Sequence, residues 1–466
     1  MHKPLSASIL LCCFMPLACA AAERSVPAEA PVQSAKRGLS VQGNDYPFLP
    51  GTNLPMSLTV SDLNVLAPGV SWYYNWGARQ TVFHPDMEFL PMAWGRDDHL
   101  VDLGQYLTQY PQTSTVLVAN EPNLPGQMDV PPLEAAEYIR RTRTVAGPRR
   151  RVVGAHFAAG PTVTDFRNTM HLALNDIGGL HVTGIHTYEE STGGFLYWAS
   201  LWPHLMDNPG TGGVEGWPLN GPPPPSQVWV KEINIGMTSP PQSETQVIDY
   251  MLYAIDLLER DPRVERYAWW KDRRRFTGSG DFTRPPSHNI RDVQTNGALT
   301  ALGRHYVEMP VHDPDLYYRF PGRLSVARYR NISGFNPPSA LEGNVAIGRS
   351  EDPGNTFDMD DLDAGEWIDL NIDVPVGGQW RASLRGRRAS AGTSSVAVLS
   401  GTQQIATLPL TTAAGQYATT VVINLPLAAG RQVLRLRGEP GTLDTSLTWL
   451  RLEAPTTHLF ANGFEP

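Results

Sequence analysis

Two glutamates in similar settings are the residues of this chain best suited to chemistry. The first, Glu121, lies in the stretch VLVANEPN, residues 116–123. Val116, Leu117 and Val118 form the short apolar run that a buried parallel strand needs, and polarity breaks sharply at Asn120, Glu121, Pro122 and Asn123. The second, Glu232, lies in VWVKEINIG, residues 228–236, where Val228, Trp229 and Val230 make another apolar run that ends in Lys231, Glu232, Ile233 and Asn234. One acid after a strand is also what a capped, solvated loop provides. Two at strand ends point to a shared rim. A pair of carboxyls about 5 to 5.5 Å apart can divide acetal cleavage between an acid/base and a nucleophile.

The elements that would position this pair read as alternating strands and helices. After Pro131 and Pro132, the run LEAAEYIRRTRTVAG has the alanine, glutamate and arginine content of a helix that opens at proline and closes at Gly147. Strand, loop and helix repeat along the chain, so the fold class expected is α/β, a (β/α)₈ barrel, whose catalytic groups collect at the C-terminal ends of its strands. Aromatic residues recur at those ends: Trp72, Tyr74, Asn75 and Trp76 after the 70–74 run, Trp94 after the 89–93 run, and Trp269 and Trp270 at the last strand. Single aromatics are usually core, but their recurrence at strand ends suits stacking on pyranose faces, so these residues and Asn120 are candidate substrate contacts. His186 and Tyr188 alternate along a strand at 182–188 and face one side, where a tyrosine hydroxyl can hold a nucleophilic carboxylate ionised. The role of His156 stays open. No His-Glu-x-x-His or comparable spacing appears, so no metal and no cofactor are expected. A Gly- and Pro-dense loop at 210–225 containing Trp217 would wall a groove, and the basic run 273–275 reads as a solvated face.

With these residues in place, VSWYYNWG (70–77), MEFLPMAWG (87–95), VLVANEPN, GIHTYEE (184–190), VWVKEINIG and VERYAWW (264–270), in that order, resemble glycoside hydrolase family 128 of clan A. The resemblance covers roughly residues 68–310. It implies a barrel that acts on β-1,3-glucan, with Glu121 after strand four as acid/base and Glu232 after strand seven as nucleophile. The sequence departs from the family pattern at Ala119, where an aromatic is usual, at Asn123, where an acid is usual, and at Lys231 to Ile233, where Thr-Glu-Phe is usual.

Residues 1–20 combine a basic start at Lys3, an apolar core and a small-residue site at Ala18, Cys19 and Ala20, the pattern of a secretory signal peptide. A secreted protein is expected, with a lipid-anchored form through Cys19 as the alternative. Cys12, Cys13 and Cys19 are the three cysteines, so a chain cleaved after residue 20 has neither disulfides nor cysteine metal sites. Net charge is −9, which offers no basic surface to nucleic acid, whereas 12 Trp and 16 Tyr favour a neutral polysaccharide partner. No segment is expected to span a membrane, and a monomer is expected. We read residues 21–45 as a mobile linker, 46–310 as the barrel, 311–322 as a second linker, 323–455 as an all-β sandwich of jelly-roll type, and 456–466 as a tail.

Within 323–455 the stretches 365–387 and 428–438 resemble carbohydrate-binding module family 6. Arg328 stands about where such modules carry a calcium-binding acid, Tyr417 and Ser446 about where they carry cleft residues, and Trp367 and Trp380 fit a core as well as a sugar contact. Three functions remain open on the sequence: a retaining endo-β-1,3-glucanase, a glycosidase of the same fold with another polysaccharide substrate, and a non-catalytic glycan-binding protein that keeps the barrel as a stacking platform.

Overall fold

A computed structural model of the chain describes residues 23–41, 57–158, 163–180, 182–191, 194–195, 225, 227–236, 242–273, 288–292, 295–333 and 345–455. The signal-peptide stretch, Trp217 with nearly all of its loop, and the C-terminal tail lie outside the described residues. The chain is a mixed α/β structure followed by a β-rich region. After a short strand β1 (Arg24–Pro27), its first part carries parallel strands: β2 (Ser34–Ser40), β3 (Val70–Tyr74), β4 (Glu88–Phe89), β5 (Met92–Ala93), β6 (Thr115–Val118), β7 (Arg151–Val153), β8 (His156–Ala158), β9 (Thr183–Thr187), β10 (Val228–Ile233) and β11 (Val264–Trp269). Hydrogen-bonded neighbours run β4-β3-β2-β11-β10-β9-β8 in one sheet and β5-β6-β7 in another, and every pairing registered within them is parallel.

Side-chain alternation sorts these strands into two faces. Trp72, Tyr74, Leu90, Met92, Leu117, Val153, Val182, Trp229 and Ala268 form one buried cluster among the strands themselves. Tyr73, Val116, Val118, Val230, Tyr267 and Trp269 belong to a second cluster, shared with the helices. Those helices are capped as their sequences dictate. Thr59 and Asp62 form a capping box at Val60–Leu66, Ser243 and Gln246 do so at Glu244–Arg260, and Pro132–Ala146 begins with proline and ends at Gly147, φ 74°.

The expected linker at 21–45 is corrected by the structure. Ser34–Ser40 is strand β2, seated between β3 and β11 and parallel to both. Its sequence, SAKRGLS, has no apolar run because Arg37 is fully buried in a polar network. Its guanidinium donates to Glu259 at 2.8 Å, Tyr267 at 2.9 Å and the carbonyl of Tyr306 at 2.9 Å. Gly38 is required for close approach, since a Cβ there would sit 2.1 Å from the Trp72 ring.

Beyond the helix Ala301–Glu308, the chain forms two sheets whose inward residues share one buried cluster, Leu370, Leu434 and Val396 from one sheet with Trp380, Leu384 and Leu450 from the other. The expected linker at 311–322 is corrected too. Strand β12 (Leu316–Arg319) pairs in parallel with Trp367–Val374 on one side and with β1 on the other, so residues that precede the first part complete a sheet of the second. Arg328 holds that N-terminal segment by donating to the carbonyls of Ala28 and Ala30. A buried polar node also joins the two parts: Asp256 accepts from Tyr329 at 2.6 and 2.8 Å and meets His312 at 2.7 Å. Among the described residues no helix is long and apolar enough to cross a membrane.

Candidate active site

The polar ends of β3, β6, β9, β10 and β11 meet around Glu121 and Glu232. Glu121 leaves β6 in a left-handed conformation, φ 44°, its amide donating to the carbonyl of His156 at 2.7 Å. Ala119 (φ 55°) and Trp76 (φ 60°) are left-handed as well. Non-glycine residues in this region are costly and cluster where a site dictates backbone direction. Glu232 reaches the same rim through an irregularity in β10. Val230 and Glu232 oppose the consecutive residues Ile185 and His186, so Lys231 is an extra residue, and both Lys231 and Glu232 turn inward.

The two carboxylates are close. Donor atoms of Glu121, His186 and Glu232 lie within 4.8 Å of one another. His186 Nδ1 is 2.7 Å from Glu121 Oε1 and 3.5 Å from Glu232 Oε2, so one imidazole touches both acids. Tyr188 donates to Glu232 Oε2 at 2.5 Å, while Trp76 Nε1 and the Tyr74 hydroxyl donate to Oε1 at 2.9 and 3.1 Å. Lys231 Nζ stands 3.3 Å from the same oxygen. Burial pushes the Glu232 carboxyl up, but His186, Lys231 and the Tyr188 and Trp76 hydrogen bonds outweigh it and hold the group down at about 2. Glu232 is therefore a fixed anion at neutral pH. Burial raises the Tyr74 hydroxyl well above its ordinary range, helped by the charge of Glu232, so Tyr74 acts only as a donor.

Three donors at this spacing also meet the size of a cation site. The Lys231 ammonium already supplies positive charge against Glu232, and a divalent ion in the same pocket would be repelled by it.

The other expected contacts separate into three groups. Trp76, Trp94, Tyr188 and Trp270 are half-buried at the rim; Tyr188 and Trp270 meet edge to face at 5.6 Å, and Lys271 Nζ lies 5.4 Å from the Trp76 ring and 5.9 Å from that of Trp270. Tyr74 and His186 are buried and serve the carboxylates. Trp72 and Trp269 do not reach the rim. Trp72 is fully buried beneath it against Trp229 and Tyr74, with Nε1 on the Lys36 carbonyl, and Trp269 faces the helices beside Tyr250 and Tyr306. Asn75 is spent on its own loop, bonded to the Arg79 carbonyl and the Gly77 amide. Asn120 accepts from Lys231 Nζ at 2.6 Å and donates to Gln127 at 3.2 Å. His156 packs 6.2 Å from His186, and burial, with Lys231 and His186 nearby, keeps it neutral. The basic run is corrected at Arg273, which is fully buried and donates to Asn296, Asp62 and the Thr295 carbonyl; residues 274 and 275 lie outside the described residues.

The residue buried within the site that the sequence did not assign is Lys231. Its signal was a lone cation inside a fully buried strand, VWVKEI.

Similar solved structures include endo-β-1,3-glucanases of glycoside hydrolase family 128. The subgroup II enzyme from Pseudomonas viridiflava is 23% identical, covering 60% of this chain and 100% of its own, with a TM-score of 0.43. That from Sorangium cellulosum is 22% identical over 60% and 100%, TM-score 0.43, and a subgroup I enzyme from Amycolatopsis mediterranei bound to laminaritriose is 20% identical over 59% and 98%, TM-score 0.42. No curated protein matches the sequence. The glycosyl hydrolase catalytic core model matches residues 55–306, more than half of the chain, and the chain belongs to that family of glycoside hydrolases.

Proposed function

We propose that this glycoside hydrolase is a retaining endo-β-1,3-glucanase. One observation carries the mechanism: Glu121 and Glu232 present oxygens within 4.8 Å of each other, the short separation of a double displacement and not the longer one that admits a water between the acids. Glu232, ionised and held by four donors, attacks the anomeric carbon. Glu121 protonates the leaving oxygen and then, as a carboxylate, activates water. The aromatic rim of Trp76, Trp94, Tyr188 and Trp270 supports binding of a pyranose chain. The choice of β-1,3-glucan follows the order and content of the sequence blocks at 70–77, 87–95, 116–123, 184–190, 228–236 and 264–270.

The same reading takes the parallel pairings and their interior cluster as a closed (β/α)₈ barrel that starts at β2, and the two C-terminal sheets as a sandwich that tethers the enzyme to insoluble glucan. Full-length chain should sediment with curdlan and be released by Tyr417→Ala; no sedimentation would assign the sandwich a structural role. Export through residues 1–20 is part of this proposal, and culture fractionation tests it. The decisive assay for the activity is reducing-end release from laminarin, curdlan, mixed-linkage glucan, cellulose and xylan. Laminarin and curdlan should be cleaved to oligosaccharides, with loss of turnover in Glu232→Gln. Cleavage confined to another polymer would overturn the substrate assignment.

A further inference from the structure

We infer that Lys231 is a positioning residue for both halves of the catalytic pair, its ammonium fixing the side-chain amide of Asn120 and holding the carboxylate of Glu232 in place. The inference rests on the retaining reading of Glu232 and adds a residue to it. Lys231 is fully buried, and its Nζ has a defined environment: Asn120 Oδ1 at 2.6 Å, Glu232 Oε1 at 3.3 Å, Met92 Sδ at 3.7 Å and the Tyr74 ring at 4.8 Å. An ammonium has donors and no acceptor, so contact with it decides which way an amide points. Oδ1 of Asn120 must face Lys231, and Nδ2 then faces Gln127 Oε1 at 3.2 Å. One of the two Nδ2 hydrogens serves Gln127, and the other is left to donate to a hydroxyl of a bound sugar. Asn120 therefore meets substrate as a donor, beside a Glu232 that meets it as an acceptor.

The backbone is arranged for this. Were β10 regular, Lys231 and Glu232 would face opposite sides; the extra residue at Lys231 turns both inward. A cation buried without partners would be expelled or neutralised, and here burial lowers the ammonium while Glu232 and Glu121 support it. The groups that face Glu232 are Lys231 on its own strand, His186 from β9 and Tyr188 just after it, Glu121 after β6, and Tyr74 and Trp76 from β3 and its loop; His156 lies behind Lys231 and Lys271 beyond Trp76. Lys231 thus couples the residue before the acid/base to the nucleophile.

Lys231→Met removes the charge and the hydrogen bond, whereas Lys231→Gln removes the charge and keeps a donor for Asn120. On a soluble laminari-oligosaccharide, Lys231→Met should lower kcat about 10- to 100-fold, the loss tied to one hydrogen bond from a charged donor, with KM little changed. Lys231→Gln should recover part of that loss. In both, the acid limb of kcat/KM should move toward neutral pH by about 1 to 3 pH units, the effect of one opposite charge at this range. The ionisation of Glu232 is read independently of activity by ¹³C-carboxyl NMR of the full chain. In the wild type its signal should stay that of a carboxylate down to about pH 3, and in either folded variant it should titrate at higher pH. That titration tests Lys231 even if no glucan is cleaved, a result that would sink the proposed activity alone. A wild-type Glu232 that titrates near pH 4.5, or variants whose acid limb and kcat match the wild type, would overturn the role of Lys231.

Discussion

Replacing Glu259 by Gln should destabilise the fold far more than its distance from the carboxylate pair suggests. Glu259 lies on the helix Glu244–Arg260 and is 3% exposed; Arg37 on β2 is 0% exposed. Their 2.8 Å contact, at an effective dielectric of about 20, corresponds to roughly 6 kcal/mol of Coulomb attraction before desolvation is subtracted. Breaking such a pair from one side leaves Arg37 as a buried cation facing Tyr267, the Tyr306 ring and backbone carbonyls, none of them an anion, and costs about 3 to 5 kcal/mol. Gln keeps an acceptor for the Arg37 Nη2 donor, so the lower end, about 3 kcal/mol, applies. Guanidinium unfolding should show the midpoint falling with an unchanged slope. Arg37→Met combined with Glu259→Gln should recover much of the loss, because no charge is then left alone. A single-variant cost under about 1 kcal/mol would refute the reasoning, and with it the claim that β2 is anchored by this network.

Tyr188→Phe removes the 2.5 Å donor on Glu232 Oε2 and should cost about 10- to 100-fold in kcat/KM, with a fall in thermal midpoint at neutral pH because that donor also holds the buried carboxylate. The carboxyl of Glu232 is depressed, so its contribution to stability is present above its unfolded value of about 4.3 and is lost as pH falls toward 2; the acid limb of the wild-type kcat/KM should therefore lie below about pH 3, and Tyr188→Phe should raise it. Glu121→Gln should nearly abolish cleavage of glucan yet retain much of the first step on an aryl glycoside with a good leaving group, which needs no proton; equal losses on both would deny Glu121 the acid role. Deletion of residues 23–31 removes β1 from the edge of β12 and should lower the unfolding midpoint of the C-terminal sheets, whereas a mobile linker would be removed without effect.

The strand-end carboxylates were legible because a buried strand that breaks into Asn-Glu-Pro or Lys-Glu-Ile changes polarity within one or two residues. Tyr188 and His186 were legible from period-two alternation. Strand β2 was not, since its buried face carries Arg37 in place of an aliphatic residue, and its partners, the carboxylate of Glu259 that neutralises it and the hydroxyl of Tyr267 that accepts from it, come more than two hundred residues later. Trp72 and Trp269 show the limit of counting aromatics at strand ends: one residue of register decides whether a ring faces the rim, the interior or the helices. The bulge that turns Lys231 inward leaves no mark on composition. Strand β1 escaped notice because four residues, Arg-Ser-Val-Pro, form an edge strand only when β12 is there to receive them.

The most direct test of the two-glutamate account is the anomeric configuration of the first product, followed by ¹H NMR during hydrolysis of a laminari-oligosaccharide before mutarotation intervenes. With Glu121 and Glu232 oxygens within 4.8 Å of each other, the β-anomer should appear first and the α-anomer only later. An α-anomer at the earliest time points would mean that water attacks directly, and Glu232 could not be the nucleophile.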